Sequence, residues 1–117
     1  MAPPSGTNYP IANFEDFWLF YLREHAKPET RALHYLGTGM STCALLAFIA
    51  TGYLWLLALI PLTGYGLAWV SHFFVEKNQP ATFTYPLWSL AGDYRMVVSW
   101  LTGHIGEELE RAGVNGS

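Results

Sequence analysis

Three histidines and one glutamate are the residues whose types and spacing could do chemistry. Of four histidines in the chain, His25, His34 and His72 lie in or beside apolar stretches. His72 and Glu76 are four residues apart, so a continuous helix would place both side chains on one face. Imidazole and carboxylate groups at this spacing can coordinate a metal ion, or the carboxylate can orient a metal-bound histidine from behind. A simple hydrogen bond on the helix surface is the alternative explanation.

The available donor atoms indicate which metals could bind. The chain has one cysteine, Cys43, which excludes disulfide scaffolds and zinc modules built on several cysteines. Two or three histidines with a carboxylate fit non-haem Fe(II), and zinc and manganese accept similar ligands. Fe(II) is therefore one candidate cofactor, and these ligand types alone do not distinguish it from zinc or manganese. The fourth histidine, His104, lies at a predicted helix end, where histidine commonly caps backbone carbonyls.

A long stretch without charge must position these groups. No Asp, Glu, Lys or Arg occurs between Arg31 and Glu76. One transmembrane helix needs about 20 apolar residues, so this stretch is long enough for two. A break at Gly52 divides it into predicted helices over residues 33–50 and 54–74. We predict an all-α fold built on an integral membrane hairpin of two transmembrane helices. A buried helical hairpin within a larger soluble oligomer is the alternative.

The overall composition agrees with this interpretation. Charged residues make up 13% of the chain and hydrophobic residues 51%, whereas about 25% charged residues is usual in soluble domains. Abundant apolar residues and a net charge of only −3 exclude a wholly disordered chain. Six basic residues against nine acidic ones form no basic surface, so we expect no nucleic-acid partner.

The hairpin geometry predicts that three histidines meet at its open end. At a rise of 1.5 Å per residue, His34 lies about 27 Å from Gly52 along one arm, and His72 about 30 Å along the other. Their side chains should therefore lie at nearly the same depth. A break at Pro28 lets the preceding helix bring His25 to that level. Because ionisable groups within a membrane are usually functional, we predict a metal site made of these three histidines.

The segments beside the hairpin are amphipathic. Asn13 is a suitable N-cap for an aromatic-rich helix over residues 14–25, with Asp16 completing a variant capping box. We predict that this helix and a last helix over residues 91–102 lie at the membrane interface, although a core helix is the alternative for the first. The basic residues all flank the open end of the hairpin, which predicts two cytoplasmic termini: Arg23, Lys27, Arg31, Lys77, Arg95 and Arg111.

The two ends of the chain are polar. Residues 1–9 are rich in proline, glycine and serine and lack the basic and apolar regions of a signal peptide. We predict a flexible segment over residues 1–12, one membrane-embedded helical domain over residues 13–105, and a polar, disordered tail over residues 106–117. The expected location is an integral membrane one, in the inner membrane of a bacterium or the endoplasmic reticulum of a eukaryote.

Two sequence motifs resemble a known family. The first is FWLFYLREH, from Phe17 to His25, followed by Pro28, Arg31, Leu33-His34 and Gly37-Thr38. The second and more specific motif is WVSHFFVEKNQPATF, from Trp69 to Phe83. Together they resemble the small membrane proteins related to the yeast 2-hydroxy fatty acid dioxygenase, in the compact, bacterial-type branch of that family.

The resemblance implies an enzyme. The eukaryotic family member uses Fe(II) and O2 to shorten 2-hydroxy fatty acids by one carbon, and the resemblance assigns its functional histidines to His25, His34 and His72. We expect Glu76 to be a fourth ligand or a group behind the ligands, and Arg31 to bind the substrate carboxylate. His104 occupies a position where this branch commonly has arginine, so it receives no ligand role.

The expected partners follow from this reaction. They are a 2-hydroxy fatty acid, O2 and the lipid bilayer, with the acyl tail lying between the two transmembrane helices. The sequence leaves open whether the protein forms a homo-oligomer. The alternative function is a non-enzymatic membrane scaffold or lipid-binding protein whose histidines make structural hydrogen bonds.

Overall fold

The structure, a computed structural model, describes residues 11–79 and 84–114. Within these ranges it contains five α-helices, one π-helical segment and no strand, which confirms the predicted all-α fold. The elements are α1 (Phe14–Glu24), α2 (Pro28–Thr51), α3 (Leu56–Val70), the π-helical segment (Ser71–Glu76), α4 (Pro86–Leu101) and α5 (Ile105–Arg111). The expectations for residues 1–10 lie outside the described residues.

Helices α2 and α3 form the predicted hairpin. α2 ends at Gly52, whose φ of 74° is a left-handed conformation that glycine adopts without strain. The two helices pack closely at Gly37, where an added Cβ would lie 2.9 Å from the backbone oxygen of Thr63. α2 and the continuous stretch Leu56–Glu76 are each long and apolar enough to cross a membrane.

The hydrophobic core lies at the open end of the hairpin, around α1. The side chain of Asn13 accepts a hydrogen bond from the backbone amide of Asp16, so the predicted cap is confirmed. Met96 of α4 and Leu109 of α5 complete a core formed by the buried face of α1: Phe17, Trp18, Phe20, Tyr21 and Leu22. The helix that we expected at a membrane interface therefore buries its aromatic residues in protein, and its depth in a membrane stays a prediction.

Helix α4 begins at Pro86, five residues before the predicted start at residue 91. Proline is well suited to the first turn of a helix, because its fixed φ is helical and its missing amide would be unpaired there. α4 packs against α2 through the stacked rings of Tyr35 and Trp100, with centroids 4.5 Å apart. It thereby closes the space beside the hairpin.

Both ends of the described chain are more ordered than we predicted. The expected disordered tail forms α5 instead, because Leu109 is buried in the core and Arg111 makes ion pairs with Glu15 and Glu108. Ile11 falls in the expected flexible segment, yet its side chain is buried and its amide donates to the hydroxyl of Tyr85 at 2.9 Å. Leu109 and Ala112 anchor the C-terminal segment in the core, and Ile11 anchors the N-terminal one.

Candidate metal centre

The three predicted histidines meet at the open end of the hairpin. His25 follows α1, His34 lies near the start of α2, and His72 belongs to the π-helical segment; all three are buried. The Nε2 atom of His25 is 3.0 Å from Nε2 of His34 and 3.1 Å from Nε2 of His72. One nitrogen from each ring lies within 4.8 Å of the others, so the group could hold a metal ion.

Backbone carbonyls determine which nitrogen carries the proton on two of the rings. Nδ1 of His25 lies 2.6 Å from the carbonyl oxygen of Tyr21, and Nδ1 of His34 lies 2.9 Å from that of Thr30. A carbonyl oxygen can only accept a hydrogen bond, so each Nδ1 must donate. In a neutral imidazole the other nitrogen, Nε2, then carries a lone pair.

An asparagine determines the proton position on the third ring. Nδ1 of His72 lies 2.7 Å from Oδ1 of Asn78, while the amide nitrogen of Asn78 donates to the carbonyl of Glu24 at 3.2 Å. The second contact fixes the orientation of the amide, because only its nitrogen can donate. His72 therefore also carries its proton on Nδ1 and a lone pair on Nε2.

The three Nε2 atoms thus carry lone pairs and no proton, and these lone pairs point toward one another. Two nitrogens bound to one ion at about 2.1 Å, at right angles, are about 3.0 Å apart, close to the two distances in the cluster. Burial, followed by the proximity of His34 and His72, holds the pKa of His25 well below its usual range, so this ring is neutral at pH 7. The cluster therefore fits a divalent metal ion.

Among the described residues, Glu76 makes no hydrogen bond to the three histidine rings. The Oε2 atom of Glu76 instead accepts from the backbone amide of Lys27 at 2.5 Å and from Oγ1 of Thr30 at 2.9 Å. Thr30 links Glu76 to the cluster, because the carbonyl of Thr30 accepts from His34, and the catalytic role of Glu76 stays a prediction.

Arg31 and His104 make their hydrogen bonds outside the histidine cluster. The Nη1 atom of Arg31 donates to the carbonyl oxygens of His25 and Ala26, at 2.9 Å each, and the side chain is buried in the connection between α1 and α2. Its binding of a substrate carboxylate stays a prediction. His104 is exposed at the start of α5, with Nδ1 2.9 Å from Oγ1 of Thr102.

A cavity of about 320 Å³ adjoins the histidine cluster between α2, α3 and α4. It extends along α3 from His72 to Ile60, about 18 Å at 1.5 Å per residue. Arg31 does not line it. Among the described residues that line it there is no lysine or arginine; besides the three histidines they are Tyr21, Thr38, Ser41, Ile60, Pro61, Gly64, Tyr65, Ala68, Pro86, Ser89, Leu90, Asp93 and Tyr94.

Tyr21 connects the cavity wall to the cluster. Its ring stacks on His25, with centroids 3.9 Å apart and planes inclined by 21°, and its hydroxyl donates to Oδ1 of Asp93. Gly92 makes room for this ring, since a Cβ there would lie 2.9 Å from the Cδ2 atom of Tyr21. Burial raises the pKa of Asp93 to about 7, so a large share of this carboxyl is protonated at neutral pH.

Sequence reasoning missed four residues of this site: Tyr21, Asn78, Ser89 and Asp93. The four-residue spacing of Tyr21 and His25 was a usable signal, because it predicts a contact on one helix face. Asn78 lies in the more specific motif but beyond the expected end of the helix. Ser89 and Asp93 gave no signal, since their role depends on how α4 packs against the hairpin.

The comparison with known proteins agrees with this site. A family model described as 2-hydroxy-palmitic acid dioxygenase Mpo1-like matches residues 11–105. The matched range includes α1 to α4 and all three histidines. No curated protein and no solved structure matches the chain.

Proposed function

The chain belongs to the 2-hydroxy-palmitic acid dioxygenase Mpo1-like family, and from this premise we propose that it is a membrane-embedded, non-haem Fe(II)-dependent dioxygenase. Its substrate is a 2-hydroxy fatty acid, which it shortens by one carbon with O2. The observation that carries the proposal is the cluster of three Nε2 atoms, each on a ring whose Nδ1 proton is already used in a hydrogen bond.

His25, His34 and His72 would hold the metal, which would supply the binding and activation of the 2-hydroxy acid and O2. Tyr21, Thr30 and Asn78 orient the three rings through the hydrogen bonds at Nδ1. Such partners of a metal-bound histidine typically change metal affinity 10- to 100-fold when they are removed, that is by about 1.4 to 2.7 kcal/mol. Glu76 acts indirectly, through its hydrogen bond with the hydroxyl of Thr30. Arg31 fixes the backbone of His25 by donating to its carbonyl.

The cavity would hold the acyl chain. It runs from the histidines along α3 toward the turn of the hairpin, past Ile60 and Pro61, and offers apolar walls to methylene groups. A chain lying there would have its carboxyl end at the cluster and its methyl end deeper in the bilayer. We assign both termini to the cytoplasmic side of the membrane, because the basic residues flank the open end of the hairpin.

Anaerobic purification in detergent with Fe(II) tests this function. We expect about one Fe(II) per chain, O2 consumption that depends on 2-hydroxypalmitate, and a product acid one carbon shorter. Iron binding without O2 consumption would contradict the dioxygenase. A purified protein that binds no metal at all would favour the structural role of the histidines.

Two histidine substitutions provide a matched pair. His72→Ala should abolish stoichiometric iron and activity while the protein stays folded, because one of three ligands is lost. His104→Ala should keep both, because His104 is exposed and remote from the cluster. Equal loss in the two variants would show that the cluster is not the metal site.

A further inference from the structure

The wall of the cavity that α4 contributes carries two polar side chains besides Tyr94, whose hydroxyl is paired with Thr42. Ser89 and Asp93 both line the cavity, and their four-residue spacing places them on one face of the helix. The histidines come from other elements, namely the end of α1, helix α2 and the π-helical segment. A molecule in the cavity could therefore contact the metal and the α4 pair through different atoms.

The hydroxyl of Ser89 is buried without a partner. The residue is 4% exposed, and its Oγ atom makes no hydrogen bond to any described residue. Buried polar atoms are nearly always hydrogen-bonded in folded proteins, and an unpaired one costs free energy. Ser89 lines the cavity, so a ligand in that space is the partner for its hydroxyl that the described protein does not provide.

Asp93 has hydrogen-bonding capacity left as well. Tyr21 donates to Oδ1 of Asp93, and within the described residues no hydrogen bond is made to Oδ2. Burial raises the pKa of this carboxyl to about 7, so a large share of it is uncharged at neutral pH. The cavity lining described here contains no lysine or arginine that would attract an anion to this wall.

A hydroxyl group suits this pair better than a carboxylate does. It can accept a hydrogen bond from Ser89 and can donate to an ionised Asp93 or accept from a protonated one, whereas a carboxylate can pair with Asp93 only in its protonated form. We propose that Ser89 and Asp93 form a hydroxyl-binding subsite, through which the cavity selects a 2-hydroxy fatty acid over the same acid without the hydroxyl. This inference rests on the substrate class of the proposed function.

The test measures binding, so that turnover is not needed. Equilibrium dissociation constants for 2-hydroxypalmitate and palmitate are measured on Fe(II)-loaded protein under anaerobic conditions. We expect Ser89→Ala to reduce the preference for the hydroxy acid about five- to tenfold, the effect of one lost neutral hydrogen bond, with little change for palmitate. Asp93→Asn keeps an acceptor for Tyr21 and should reduce the same preference.

Ser99→Ala is the matched control, because Ser99 is a buried serine of α4 that does not line this cavity. It should leave the preference unchanged. Folding is monitored by thermal unfolding, and Ser89→Ala should melt at or above the wild-type temperature, since it removes a hydroxyl that has no protein partner.

The possible outcomes separate this subsite from the dioxygenase proposal. If Ser89→Ala and Asp93→Asn bind both lipids with the wild-type preference, the subsite is wrong, even when turnover is intact. An equal loss of affinity for both lipids would also overturn it. That result would mean that the substitution damaged the cavity, or that the two side chains bind water and not the lipid hydroxyl. If turnover is absent but the preference depends on Ser89, the subsite stands and the dioxygenase proposal fails.

Discussion

Helix α1 and the α2–α3 hairpin show the opposite of the usual relation between charge content and burial. The helix with charged residues is buried, and the hairpin without them is exposed. α1 carries charged residues at both ends, yet Phe17, Trp18 and Leu22 are 0% exposed. The hairpin has no charged side chain from Ala32 to Val75, yet only 17% and 22% of the residues in its two apolar stretches are buried. α1 is covered by protein, whereas the hairpin leaves most of its apolar surface exposed.

The metal site lies where these two regions meet. His25 comes from the end of α1, while His34 and His72 belong to the arms of the hairpin. Because no single helix supplies more than one ring, the geometry of the cluster depends on how α1 is seated against the hairpin. The predictions below test that dependence, beginning with the largest expected effect.

Equivalent truncations in the two regions should have very different costs. Leu22→Ala in α1 should lower the free energy of unfolding in detergent by about 2 to 5 kcal/mol, because it leaves a cavity in a packed core. Leu46→Ala in α2 should change it by less than about 0.5 kcal/mol, since Leu46 is 59% exposed. Similar effects in thermal or denaturant unfolding would mean that the hairpin is buried in protein after all.

Crowding the contact between α4 and Tyr21 should displace His25. In Gly92→Ala the new Cβ would lie 2.9 Å from the Tyr21 ring, so we expect a loss of about 1 to 3 kcal/mol in stability together with weaker iron binding. Gly39→Ala is the control, because a Cβ there meets nothing within 4 Å. Iron titration of both variants should separate them, and unaltered affinity in Gly92→Ala would contradict the link through Tyr21.

Removing the partner of His72 should loosen only one ligand. Asn78→Ala should weaken iron binding about 10- to 100-fold, because it frees the His72 ring. Asn78→Asp keeps an acceptor for Nδ1 and should retain most of the affinity. The structural account fails if both substitutions weaken binding to the same extent.

We also expect a pH dependence of stability that arises at α4. Burial raises the pKa of Asp93 from 3.8 to about 7, so the folded state binds this proton more tightly than the unfolded state. Its contribution to stability is therefore complete below about pH 4 and is lost as the pH rises through about 7. Asp93→Asn should remove that part of the decline in thermal unfolding midpoints measured between pH 4 and 8, and an unchanged pH profile would contradict the buried carboxyl.

The sequence was sufficient to predict the all-α fold, the hairpin and the meeting of three histidines, because arm lengths follow directly from the rise per residue. It did not reveal the contacts of Glu76 and Arg31, whose catalytic roles stay predictions. Glu76 accepts hydrogen bonds from Lys27 and Thr30, and the guanidinium of Arg31 donates to the carbonyls of His25 and Ala26. Spacing along one helix does not report a tertiary partner.

The cavity wall and α5 escaped prediction for a related reason. Ser89 is one serine in an otherwise ordinary helix, and only the packing of α4 gives its hydroxyl a buried, unpartnered position. Leu109 and Ala112 lie among charged residues, and their burial follows from the core that α1 creates. Both are consequences of tertiary contacts between segments far apart in the chain.

X-ray absorption at the iron edge of anaerobically Fe(II)-loaded protein tests the central claim most directly. The account predicts about one iron per chain with three imidazole nitrogens at about 2.1 Å, and the loss of this signature in His25→Ala. Iron without imidazole ligands, or an unchanged spectrum in His25→Ala, would contradict a metal centre built from His25, His34 and His72.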